Sequence, residues 1–167
     1  MSDRKNTFLR TLDREHATTV RVLRAFPEDQ LDLRPSPISN SARQLAWTFV
    51  LERGLGIRVW HDELVKGVPS GSKPADPPES WSDLLAALEE ANRSYRALIA
   101  AASEEDLSEI VHFFTAPKTM GELTRHDWIW FLLHDEIHHR GQFSVYLRLA
   151  GGKVPSIYGP SADEPWT

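Results

Sequence analysis

The densest run of chemistry-bearing residues in the chain is His134-Asp135-Glu136-Ile137-His138-His139-Arg140-Gly141-Gln142, and five of the seven histidines fall between positions 112 and 139. On a helix, residues four apart stack one above the other. His134 with His138 is therefore one possible metal-binding pair, and Asp135 with His139 is a second. The two pairs lie about 100° apart around a helix axis, so a single ion in a bundle core draws on one of them. The stretch is not the zinc-protease pattern H-E-x-x-H, because Glu136 falls two residues after the first histidine. The competing reading is a solvated helix that binds nothing. Both faces have apolar continuations: Trp128, Leu132, Tyr146 and Leu149 extend the Asp135/His139 stripe, and Phe131, Val145 and Leu149 extend the His134/His138 stripe. A buried Asp–His pair would need a compensating partner, either a divalent cation or a plain hydrogen bond.

The elements that must position these residues read as helices. Phe8, Leu12, Thr19, Leu23 and Phe26 keep a helical period over residues 4–26, and Pro27 ends it. Ser41 and Gln44 form a capping box for a second helix running to about Lys66, which carries Thr48 and Glu52 one turn apart. Residues 27–40 and 67–79 are rich in proline and polar residues and read as loops. Ser80 caps a third helix that ends near Ala102. Residues 109–114, EIVHFF, form either a short strand or an extended connection. Thr119 and Glu122 make a further capping box, from which a last helix of about 30 residues, some 45 Å, reaches the stop at Gly151 and Gly152. The expectation is all-α: one domain over residues 1–167, a four-helix bundle with long crossover loops and an ordered, irregular C-terminal tail. Arg140 and Arg148 are expected to hold that tail, and Tyr158 and Trp166 to pack over the bundle end. His16, His61, His112 and His126 are isolated and read as surface or capping residues.

At this point the chain resembles the DinB-like superfamily, four-helix bundles that hold a divalent metal through three side chains, usually histidines. S-A-R-Q-L-A-W at 41–47 is similar to the start of the family's second helix, and T-M-G-E-L at 119–123 to the start of its last. The most specific match is H-H-R-G-Q at 138–142, followed by Y-L-R at 146–148 and G-G-K-V-P-S-I-Y-G-P at 151–160. The resemblance implies that His139 and Asp135 stand at two ligand positions and that Thr48 stands where the second helix carries a histidine. Glu52, one turn beyond Thr48, is the candidate replacement, with His138 and His134 as further candidates. A bound ion would be zinc, nickel or a similar divalent metal. A threonine hydroxyl is a poor ligand for it.

Two functions follow from the resemblance. One is a metal-dependent enzyme, a hydrolase or thiol-dependent transferase acting on a small molecule; the other is a non-catalytic, dimeric bundle with a degenerate, metal-free site. The remaining sequence narrows the field. A formal charge of −5 without a basic run argues against nucleic-acid binding. With no cysteine, disulfides, thiolate ligands and a cysteine nucleophile are excluded. No phosphate-cradling loop, serine elbow or dinucleotide fingerprint is present. The N-terminal residues lack a signal-peptide core and no stretch has the length of a membrane span, so the expected setting is cytoplasmic. Trp47, Trp60, Trp128 and Trp130 exceed what one small core readily absorbs, which predicts a homodimer.

Overall fold

The computed structural model describes residues 3–66 and 74–167. Four long helices make the bundle: α1 (Asp3–Arg24), α2 (Ala42–Trp60), α3 (Trp81–Ala101) and α5 (Arg125–Leu149). A short helix α4 (Glu104–Ser108) and an antiparallel hairpin, β1 (Ile110–Ala116) and β2 (Thr119–Thr124), lie between α3 and α5. The two helices α1 and α2 each pack on both α3 and α5. Successive helices α1 and α2 therefore sit diagonally, as do α3 and α5. The 25–41 loop crosses one diagonal, and α4 with the hairpin crosses the other. The expected loop at 67–79 falls partly on residues 67–73, which lie outside the described residues; the segment after it is irregular up to the cap of α3.

The caps read from the sequence hold at two helices. Ser41 accepts the backbone N–H of Gln44 at 3.2 Å while Gln44 returns a bond to the Ser41 N–H. Ser80 accepts from the Asp83 N–H. At α5 the expectation fails: Thr119 and Glu122 lie in β2, and the helix begins five residues later than expected, with Thr124 accepting the Asp127 N–H at 3.0 Å. Residues 119–124 each find a partner in residues 110–116, with one bulge at Thr115, and that pairing outcompetes one capping box when an equivalent cap follows directly. The last helix is thus 25 residues, about 38 Å, and strand reaches well beyond the 109–114 neighbourhood. It stops where expected. Gly151 adopts φ +78, and the Gly152 N–H reaches the Leu147 carbonyl at 3.0 Å.

Along the bundle axis the core divides into two apolar clusters. One gathers Phe8, Leu12, Trp60, Ile99, Trp128 and Leu132; the other gathers Leu23, Phe49, Trp81, Leu88, Phe143 and Leu147. Between them lies a buried polar layer. Glu15 and Thr19 of α1, Arg53 of α2, Asn92 of α3, and Glu136 and Arg140 of α5 occupy it. Trp60, Trp81 and Trp128 are all internal, and Trp130 meets Phe8 edge-on with ring centroids 5.3 Å apart. Of the four tryptophans from which self-association was expected, Trp60 and Trp128 are internal, and Trp47 and Trp130 are half-buried.

The tail packs back without regular structure. Val154 and Ile157 lie against the second cluster, Arg148 pairs with Asp163 at 2.6 Å, and the Val154 N–H donates to Asp163 at 2.9 Å. Trp166 departs from the expectation, at 64% exposed. Tyr158 is anchored by its hydroxyl while its ring stays open. His16, expected at the surface, is buried, with Nε2 3.0 Å from Glu89. No described helix is long and apolar enough to cross a membrane.

Candidate metal centre

Rotation of α5 decides which side chains meet the rest of the protein. Its buried stripe is Ile129, Leu132, Leu133, Glu136, Arg140, Phe143 and Leu147, and the Asp135/His139 stripe lies along the α2 side of it. The opposite flank carries His134 and His138, both exposed, with Phe131 at 45% and Val145 at 56%. The choice between the two pairs is thereby made by position: Asp135 and His139 face α2, and His134 and His138 do not.

Across from them, Glu52 projects from α2. His139 Nε2 stands 3.2 Å from Glu52 Oε1 and 3.7 Å from Asp135 Oδ1, and one ligand atom from each of the three lies within 4.8 Å of the others. Two donors on one divalent ion at about 2.1 Å stand about 3.0–3.4 Å apart, so the cluster is near that spacing. Thr48, one turn before Glu52, bonds instead to the Gln44 carbonyl of its own helix at 3.3 Å and lines the adjoining cleft. Glu52, and not Thr48, is thus the α2 side chain in the cluster.

The environment of Glu52 is unusual for a carboxylate. It is 5% exposed, and apart from the His139 contact neither oxygen has a polar partner that would satisfy it among the described residues. Burial, with the charge of Asp135 adding to it, pushes its pKa up to about 9. An orphaned, buried carboxylate beside an imidazole and a second carboxylate is a donor set that fits a divalent cation, and a cation there would satisfy it.

His139 is oriented from behind. Gln142 Oε1 lies 3.0 Å from His139 Nδ1, and Gln142 Nε2 lies 2.9 Å from His138 Nε2. With the amide oxygen on Nδ1, Gln142 accepts the Nδ1 proton, and in that tautomer the Nε2 lone pair faces Glu52 and Asp135. Gln142 is thus the residue that sets the tautomer, and His138 steadies Gln142 from the solvent side. Such an outer partner fixes a ligand histidine's ring and raises its basicity.

The polar layer behind the cluster went unread in the sequence. Arg53 pairs with Glu136, Arg53 Nε donates to Asn92 Oδ1 at 3.1 Å, and the Thr19 hydroxyl donates to Glu136 at 2.8 Å. Burial pulls the Arg53 guanidinium down, but the charge and hydrogen bond of Glu136 more than reverse it. Arg140 donates to Glu15 Oε2 at 2.7 Å and to the Tyr158 hydroxyl at 2.6 Å, so it holds the tail through Tyr158 while Arg148 holds it through Asp163. The signal available in sequence was the spacing: Glu136 and Arg140 share one stripe with Leu132, Leu133, Phe143 and Leu147 once charged residues are admitted to a core.

A four-helix bundle with crossed connections, whose middle layer is polar and whose α2–α5 edge carries a carboxylate–histidine cluster, defines the class. The DinB family's sequence profile matches residues 1–166, and the chain belongs to the DinB family. It is similar to YrdA of Bacillus subtilis (strain 168), an uncharacterized protein, at 27% identity over 158 residues, covering 94% of this chain and 89% of YrdA. A DinB-like protein from Bacillus cereus ATCC 10987 has the same fold, with TM-score 0.74 and 22% identity over 90% of this chain and 95% of its own. YfiT from Bacillus subtilis, described as a probable metal-dependent hydrolase with an unusual four-helix bundle topology, matches with TM-score 0.64 and 16% identity, over 92% and 91% of the two chains.

Proposed function

We propose that this DinB-family protein is a divalent-metal-dependent enzyme, a hydrolase or thiol-dependent transferase, in which Glu52, Asp135 and His139 hold the ion. The observation that carries the reading is Glu52: both its oxygens are buried and lack a hydrogen-bond donor among the described residues, and Oε1 stands 3.2 Å from His139 Nε2. One nitrogen and two carboxylates suit a borderline ion such as zinc, nickel or manganese. Bound, such an ion supplies Lewis acidity, lowering the pKa of a water or thiol and polarising a substrate carbonyl. The chain supplies the rest. Gln142 keeps the His139 tautomer, the Arg53–Glu136 pair anchors the backbone of α2 and α5 on either side of the cluster, and Asp135, 40% exposed, stands at the solvent side where protons exchange. The likeness to YfiT, whose description names a metal-dependent hydrolase, supports the same reading.

A second reading has its own observation. His139 Nε2 lies between two carboxylates, and a protonated imidazole would satisfy that geometry as a metal-free polar cluster. Metal analysis of protein purified without a histidine tag separates the two. The enzyme reading expects one equivalent of bound metal and a rise in melting temperature on titration with zinc, nickel or manganese, both abolished by His139→Ala and retained in His134→Ala and His138→Ala. No uptake of any of these ions overturns it in favour of the metal-free cluster.

A further inference from the structure

A cleft of about 610 Å³ opens beside the cluster, in the range of small-molecule sites. Its polar groups are unevenly placed. Thr48, Glu52, Asp135 and His139 make one end, whereas Leu51, Leu55, Leu64, Phe113 and Phe114 make most of the remaining wall. Arg58 also reaches the cleft, but its Nε donates to Glu63 Oε2 at 3.2 Å. Phe113 is held in place by Trp128, with ring centroids 4.6 Å apart, so this part of the wall is fixed; Phe114 is 45% exposed at the rim.

Gly54 adds an independent observation. It lies inside α2 with ordinary helical backbone, where glycine weakens a helix relative to alanine. Two residues on, Gly56 is required by packing, because a Cβ there would come within 2.6 Å of Tyr95 and 2.9 Å of Leu132. A Cβ on Gly54 would meet nothing within 4 Å, and Gly54 lines the cleft. Among the described residues, neither backbone geometry nor close packing asks for glycine at this exposed position. What its missing side chain leaves is room in the cleft.

We infer that the cleft takes a substrate with an apolar body, an alkyl chain or aryl ring, joined to a single polar head that bears on Glu52, Asp135 and His139, and that Gly54 keeps open the space this body fills. The inference rests on the metal reading above. Burying the body against Leu51, Leu55 and Phe113 supplies affinity, and the cluster supplies orientation. A ligand polar along its whole length would strand its groups against that wall.

The test uses zinc-loaded protein and a series of linear hydroxamates, acetohydroxamate, butanohydroxamate and octanohydroxamate, titrated by calorimetry. Affinity is expected to rise about fourfold for each methylene that enters the cleft. Gly54→Leu fills the space and should abolish that dependence while zinc stoichiometry is unchanged; Gly54→Ala reports that substitution at this position preserves folding. Zinc uptake with no length dependence, or with the dependence intact in Gly54→Leu, overturns the inference and leaves the metal reading standing. Failure to bind zinc or another divalent ion removes both.

Discussion

Arg53 on α2 and Glu136 on α5 form an ion pair at the centre of the bundle, each side chain only 1% exposed; Asn92 accepts from Arg53 and Thr19 donates to Glu136. Two charges so deeply placed are stable only as a pair. Glu136→Ala, which leaves Arg53 alone, is expected to destabilise by about 3–5 kcal/mol in urea denaturation. Replacing both residues by apolar side chains of similar volume should recover most of that loss.

Glu52 carries the opposite imbalance: its carboxyl is almost as deeply placed, and it faces the His139 ring and a second carboxylate, Asp135. Its folded pKa of about 9 lies above the ordinary glutamate value of 4.5, so folding takes up a proton between those limits. Metal-free protein should therefore lose stability as pH rises from about 4.5 towards 9, by about 3 kcal/mol at pH 7 from this group. Glu52→Gln should flatten the profile and stabilise the metal-free protein, yet lose the stabilisation that zinc gives the wild type. Stability against pH, measured with and without the ion, checks both signs.

At the far side of the polar layer, Tyr158 ties the tail to Glu15 through a 2.6 Å hydrogen bond. Burial raises the Glu15 carboxyl, but hydrogen bonds from Tyr158 and Arg140, with the Arg140 charge, outweigh it and hold the pKa below the ordinary value. This stability is present above the ordinary carboxylate range and is lost as pH falls through the lowered pKa. Tyr158→Phe should cost about 1 kcal/mol near neutrality and move acid unfolding to higher pH. Deleting residues 153–167 should lower the melting temperature further, because it also exposes the surface under Val154 and Ile157.

The two glycines of α2 should respond in opposite directions to alanine. Gly56→Ala forces a methyl against Tyr95 and Leu132 and is expected to destabilise by about 1–3 kcal/mol. Gly54→Ala meets nothing within 4 Å and should stabilise by about 0.5–1 kcal/mol. Thermal denaturation of the two variants side by side decides it.

Helix content, the Ser41 and Ser80 caps, the glycine stop after Leu149 and the Arg148 hold on the tail were all legible in the sequence, because each depends on residues close in the chain or on a simple period. Asp135 and His139 were legible as one of two pairs by their spacing, and Glu52 became a candidate through the family resemblance, which places a ligand position at Thr48, one turn before it. The start of α5 was not. Thr119-Glu122 and Thr124-Asp127 are equivalent local signals, and only pairing with β1 assigns the first to a strand. Nor was the rotation of α5 legible, because apolar residues surround it: Leu132, Phe143 and Leu147 point inward while Phe131, Val145 and Leu149 point out. What turns it is polar. Glu136 and Arg140 can be buried only where Arg53 and Glu15 meet them, and those partners come from helices distant in sequence. Tertiary structure alone brings the four charges together, and in doing so it sets Asp135 and His139 towards Glu52 and leaves His134 and His138 outside.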